Sequence, residues 1–220
     1  MATRALLADL LSAFEQRSGY SVHMESVGGV DAARRVQAGE AFDVIVLASD
    51  AIDKLIAAGH IDAPSKVDLV RSGVAVAVRA GAAHPDISTE AALRQTVLDA
   101  PSLSYSTGPS GVALARLFER WGIAQAIQSR IVQAPPGVPV GTLVARGEVA
   151  LGFQQLSELM ALPGIDLLGG LPPEVQIVTT FSAGIAAGTR QAEAVRALLA
   201  FMNAGEADTV KRRHGMEPAR

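Results

Sequence analysis

The 220-residue chain contains no cysteine. That excludes disulfides, thiol catalysis and cysteine-based zinc sites, and it leaves the compartment open. Aromatic residues make up only 4%, too few for the stacking platforms that hold single-stranded nucleic acid. A basic excess is missing as well. Nineteen Lys and Arg stand against 22 Asp and Glu, a formal net charge of −3, so no nucleic-acid partner is expected. No apolar run reaches the roughly 18 residues of a membrane helix, so no membrane insertion is expected. Met1 leads almost directly into ALLADLLSAF, without the charged leader or cleavage site of a signal peptide. The histidines His23, His60, His84 and His214 are scattered without i,i+4 pairing, so no metal site is expected. The G-x-S-x-G nucleophile turn, the G-x-G-x-x-G dinucleotide turn and the P-loop lysine are all absent. No catalytic set is assigned and no cofactor is implied.

What remains is 49% hydrophobic and long enough for one large domain or two small ones. Apolar residues at helical spacing predict a first helix over 5–17, through Leu6, Leu7, Leu10, Leu11 and Phe14. A strand is expected at 20–25, a helix at 30–37 stopped by Gly39, and a strand in FDVIVL at 42–47. A helix at 52–58, stopped by Gly59, completes a strand–helix alternation that implies parallel pairing. VAVAV at 74–78 reads as a buried strand, and Ser88 as the start of the next helix. Further strands are expected at 103–106, 130–133, 150–154 and 176–181, and helices at 140–146, 156–160 and 191–203. The tail, 206–220, reads as a last short helix and a frayed end. No repeat of fixed period is present.

Two turns carry the candidate chemistry. In LSYSTGPSG, a short strand runs into Tyr105, Ser106, Thr107, Gly108, Pro109, Ser110 and Gly111, and then into an amphipathic helix. A helix opening on such a turn presents unpaired N–H groups and the positive end of its dipole, which suits an anion. Pro109 fits the helix's first turn. An ordinary capped helix explains the same residues, but the density of hydroxyls favours binding. In SVGGV, Ser26, Gly28 and Gly29 repeat the layout, the paired glycines allowing a ligand close to the backbone; a plain strand-to-helix turn is the alternative. Ser49 and Asp50 follow FDVIVLA at the carboxyl end of a strand, where α/β sheets bind ligands, and Asp50 doubles as a helix cap. Arg71 and Arg79 flank VAVAV and are candidates to fork onto a carboxylate, with a salt bridge as the plain reading. Gln154 and Gln155 end a strand, and alternation turns only one of them toward a ligand.

Across nearly its whole length the chain resembles the molybdate-binding-protein-like branch of the type II periplasmic binding proteins. The resemblance runs through SVGGVDAARRVQAGEAFDVIVLASDAIDKLIAAGHI, VRSGVAVAVRAGAAHPDISTEAAL, the SYSTGPSG turn and GTLVARGEVALGFQQLSELMALPGIDLLGGLPPEVQ. It implies an α/β fold of two lobes, 1–78 plus 180–220 and 79–179, joined by two crossover strands and closing on a ligand by a hinge motion. It also implies Ser26, Gly28, Gly29 and Ser49 from one lobe and Ser106, Ser110, Gly111 and Gln154 from the other. Family members begin with a strand ending in a Ser-containing turn, whereas this chain starts at that turn. The expectation is therefore a missing N-terminal strand and a start set downstream of the true one.

The resemblance implies a monomeric solute-binding protein that hands a small oxyanion or organic carboxylate to an ABC transporter permease. A periplasmic home follows by the same resemblance, with the cytoplasm as the alternative for a chain lacking a leader. Relatives that isomerise aconitate supply a second reading, an enzyme shifting a proton beside carboxylates. Tyr105, Ser106 and Glu25 are the candidate bases for it, none of them compelling. A ligand-sensing domain of a regulator is a third reading, and no helix-turn-helix or basic stretch supports it.

Overall fold

The computed structural model describes residues 1–135 and 137–219. In chain order the elements are α1 (Arg4–Ser18), α2 (Gly29–Gln37), β1 (Val44–Ala48), α3 (Ser49–Ala57), β2 (Val67–Arg79), α4 (Glu90–Asp99), β3 (Leu103–Tyr105), α5 (Pro109–Arg120), α6 (Ala124–Ile127), α7 (Val140–Ala145), β4 (Leu151–Gln155), α8 (Leu156–Leu159), β5 (Ile165–Gly170), β6 (Val178–Ile185), α9 (Ala192–Asn203), α10 (Asp208–Arg213) and β7 (Glu217–Pro218). The chain forms two units, one of 1–72 with 179–220 and one of 73–178. It passes from one to the other inside β2 and at the start of β6. Arg220, at the end of the expected frayed tail, lies outside the described residues.

In the first unit β1 pairs antiparallel with β6, from Val44 opposite Ile185 to Ala48 opposite Phe181. β6 lies beside β2, and β7 pairs antiparallel with β2 at Val70 and Arg71. The parallel pairing expected of β1 is therefore corrected. The strand's partner is a segment more than a hundred residues away, whose direction the local strand–helix alternation does not encode. The core forms where Leu6, Leu10, Leu11 and Phe14 of α1 meet Val195, Leu198, Leu199 and Met202 of α9 and Ala183 and Ile185 of β6. α1 ends at Gly19, whose φ of 73° takes the left-handed region that a side chain disfavours.

Residues 20–25 join no ladder among the described residues, although a strand is expected there. Their burial does alternate, with Val22 and Met24 packed on the core while His23 and Glu25 face out. Without a neighbouring strand the segment settles its donors locally. The Val22 N–H donates to Glu15 Oε1 (2.6 Å) and the Tyr20 N–H to Ser18 Oγ (3.2 Å).

In the second unit β3 and β4 run parallel, with Tyr105 opposite Phe153. β2 runs antiparallel to both β4 and β5. Val74, Val76 and Val78 pack on one face with Leu103, Phe153, Leu93, Val97, Leu114 and Phe118. Ala75 and Ala77 pack on the other face with Leu159. Coverage on both faces explains why VAVAV carries no polar alternation. Each fully buried Leu, Val or Phe here contributes about 1.5–3 kcal/mol. The strand expected at 130–133 reduces to a single bridge, Ile131 to Leu103. β5, not expected at all, pairs from Ile165 to Gly170 along β2. Thr89 rather than Ser88 caps α4, its Oγ1 accepting from the Ala92 N–H at 3.1 Å.

Candidate functional site

The second unit's turn is built by sterics before chemistry. β3 ends at Tyr105 and α5 starts at Pro109, with Gly108 at the cap position. Gly108 has no side chain to cap the helix and Pro109 has no N–H, so the N–H groups without a partner in the helix at this end are those of Ser110 and Gly111, both buried residues. Ser106 Oγ and Ser110 Oγ share a hydrogen bond at 3.3 Å above them. The loop folds so closely over the helix start that a Cβ on Gly111 would lie 1.6 Å from the Ser106 carbonyl oxygen. No side chain fits there. No acidic residue occupies the first turn of α5, so nothing within the helix competes with an incoming anion for its positive end. Thr107, between the two serines in the turn, is exposed.

Tyr105 points elsewhere. Its ring meets Phe118 edge-on at 5.9 Å and its carbonyl accepts from Gln133 Nε2 at 3.0 Å. Burial, with the Glu119 carboxylate adding to it, pushes its phenol up from its ordinary value, so it stays protonated at neutral pH. Gln154 lies on β4 at the same sheet edge, and its Oε1 accepts from the Gly141 N–H at 3.3 Å, capping α7. Arg79 is not brought to this edge. β2 runs antiparallel to β4 with Ala75 opposite Gln154, so Arg79, four residues farther along, stands about 13 Å away toward the opposite edge. There its guanidinium lies 3.4 Å from the position of a Cβ on Gly147. Arg71 belongs to the first unit, its Nη2 3.5 Å from the Pro218 carbonyl.

In the first unit Gly28 is the cap position of α2, and Gly29 opens the helix. A Cβ on Gly29 would lie 3.8 Å from Leu47 Cδ2, so the start of α2 sits against the end of β1, next to Ser49 at the start of α3. Ser26 is half-buried in the preceding loop. Asp50 does not cap α3: the helix starts at Ser49, which places Asp50 inside the first turn. Both helices carry an acid there, Asp31 in α2 and Asp50 in α3. Those carboxylates already answer the helix dipoles, which makes α5 the more anion-ready terminus. Glu25, a candidate base, is held by Arg35 at 2.7 Å.

One residue was not anticipated from the sequence. Burial pushes the Glu158 carboxyl up, partly offset by a hydrogen bond with the Gln154 side chain. The available signal is a carboxylate four residues after a strand-end amide, across a strand-to-helix joint. Among the described residues no three His, Cys, Asp or Glu converge as metal ligands, and no helix is long and apolar enough to cross a membrane.

The family described as bacterial extracellular solute-binding protein matches residues 1–217. The chain belongs to that family. An aconitate isomerase from Pseudomonas sp. is 38% identical over 218 residues, 96% of this chain and 83% of that protein. Among solved structures, the periplasmic molybdate-binding protein of Azotobacter vinelandii superposes with a TM-score of 0.81 at 18% identity, covering 100% of this chain and 96% of that one. The sulfate-binding protein SubI of Mycobacterium tuberculosis gives 0.77 at 17% identity, covering 99% and 83%. The fold of this solute-binding protein is that of the type II periplasmic binding proteins. Its two helix-opening turns, one in each unit, are set on that fold.

Proposed function

We propose that this solute-binding protein captures a small anion, and that the N-terminus of α5 is its principal anchor. The observation that carries the reading is the turn 106–111. It holds two backbone donors, two serine hydroxyls 3.3 Å apart, no acid in the helix's first turn and no room for a side chain at position 111. These are neutral donors aimed at a negative charge, which need no countercharge to bind it. Ser106, Thr107, Ser110 and Gly111 make the contacts in the second unit. In the first unit, Ser26, Gly28, Gly29 and Ser49 form the corresponding helix-opening turns. Gln154 acts through Gly141, holding the neighbouring helix start. Tyr105 packs behind the turn and Arg79 takes no part.

Two ligand classes fit such donors, a tetrahedral oxyanion and a small organic carboxylate. The identity to an aconitate isomerase, well above that to the oxyanion binders, is the support for taking the carboxylates as the first class. Delivery to an ABC transporter permease, a periplasmic home and a monomeric state belong to the same proposal. Calorimetric titration with cis- and trans-aconitate, citrate, molybdate, tungstate and sulfate tests it. Saturable heat with one of these supports the reading, and none with any defeats it.

The same identity favours a second reading, isomerisation of aconitate. That reaction needs a group that takes a proton from one substrate carbon and returns it to another. Glu158 is the candidate for it: burial raises its carboxyl, and its side chain shares a hydrogen bond with Gln154. Spectrophotometric interconversion of cis- and trans-aconitate separates the two readings: binding without turnover leaves the receptor, and turnover abolished by Glu158→Gln makes the enzyme.

A further inference from the structure

The chain crosses between its two units twice, after Ser72 and after Val178. One side chain of the second unit bonds to both linking segments. Gln176 Oε1 accepts from the Val74 N–H at 3.2 Å and from the Ile177 N–H at 2.8 Å. Its Nε2 donates to the Leu171 carbonyl at 3.4 Å, and the Val74 N–H also reaches the Ile177 carbonyl at 3.0 Å. The carboxamide lies across two glycines. A Cβ on Gly73 would come within 3.3 Å of Gln176 Cδ and Nε2, and one on Gly170 within 2.8 Å of Nε2. One oxygen thus joins the outgoing strand, just past Gly73, to the returning strand, just before Val178.

We infer that Gln176 is a positioning residue that ties the two linking segments together, so that bending where the units join is confined to the residues beyond it. An oxygen that accepts from both segments reinforces the backbone bond between Val74 and Ile177, and a part-buried acceptor bond is costly to break without a replacement. The two glycines are the space the amide needs, which explains their place beside it. The inference goes beyond the proposed ligand reading and does not depend on it.

The absence of cysteine makes the test clean. Cysteines placed at the exposed positions Ala57 and Ala91 carry two spin labels, one in each unit, and the distance distribution is measured without ligand. Gln176→Met keeps the bulk and removes the acceptor. It should broaden the distribution and speed amide exchange at Val74 and Ile177 roughly five- to tenfold. Gln176→Glu keeps an acceptor oxygen and should restore the narrow distribution. A distribution for Gln176→Met as narrow as the parent's, with helix content unchanged, overturns the inference. Should Gln176→Met fail to fold, Gly170→Ala decides. Its Cβ would lie 2.8 Å from Nε2, so the amide must move while staying present; broadening supports the inference and an unchanged width overturns it.

Discussion

Gly111→Ala sets two quantities of opposite sign against each other. Position 111 is in the first turn of α5, where helix propensity alone favours alanine by about 1 kcal/mol. The added Cβ would lie 1.6 Å from the Ser106 carbonyl oxygen, against a floor of 3.0 Å for real Cβ contacts. The turn must therefore open by at least 1.4 Å. The obstacle is backbone, which no rotamer change relieves, so the upper end of the usual overpacking cost applies, about 3 kcal/mol. The net effect is a loss of about 2 kcal/mol, which for a chain of this size lowers Tm by about 4–8 °C. Opening the turn also parts Ser106 from Ser110 and swings the helix donors away from their common focus, so anion binding should weaken with it. Thermal denaturation followed by circular dichroism, and calorimetric titration of the same variant, measure both. An unchanged or raised Tm would mean that propensity outweighs the clash and that the closely folded turn is not what position 111 serves.

The remaining predictions concern the site, the pH response and the unpaired segment. Ser106→Ala and Ser110→Ala should each weaken anion binding roughly tenfold with little change in Tm, and the double variant should lose less than the product, because the two hydroxyls share one hydrogen bond. The Asp166 carboxylate accepts from the Gly81 N–H at 2.9 Å and from His84 at 3.1 Å. The Gly81 bond first, then His84, hold its pKa below the ordinary 3.8. Its stabilising effect is therefore full above that value and is lost as pH falls through the depressed one. Asp166→Ala should accordingly lower Tm at neutral pH, and the difference should fade in acid below 3.8. Amide hydrogens of His23, Met24 and Glu25 should exchange far faster than those of β1, which are locked to β6; equal protection would show that residues 20–25 do sit in a ladder.

Much of the fold is legible in the sequence where burial is periodic. The leucines of α1, the VAVAV core of β2 and the stripe of α9 stand where their spacing puts them. What periodicity does not hold is the partner. FDVIVL is a strand, yet its neighbour is β6, and only the tertiary fold decides that they run antiparallel. The spacing of 20–25 is equally strand-like, and no strand forms because, among the described residues, none lies alongside. β2 extends back to Val67 through Arg71, Ser72 and Gly73, beyond the VAVAV run that marks it in the sequence, because its first half belongs to one unit and its second half to the other. At the site, the serines and glycines of 106–111 are visible as a helix-opening turn. The contact that forbids a side chain at Gly111 is not, since it depends on how the loop folds back. The same limit applies to Arg79, whose distance from Gln154 follows from the antiparallel register of β2 and β4.

The central claim is that the N–H groups opening α5 hold the anion. Nitrogen-15 correlation spectra recorded while the protein is titrated with aconitate, and separately with molybdate, test it most directly. The account predicts that the Ser110 and Gly111 amide signals shift saturably with one of these ligands, and that Ser106→Ala diminishes the shift. Saturable binding that leaves both amides unmoved, or no binding of either anion, would contradict it.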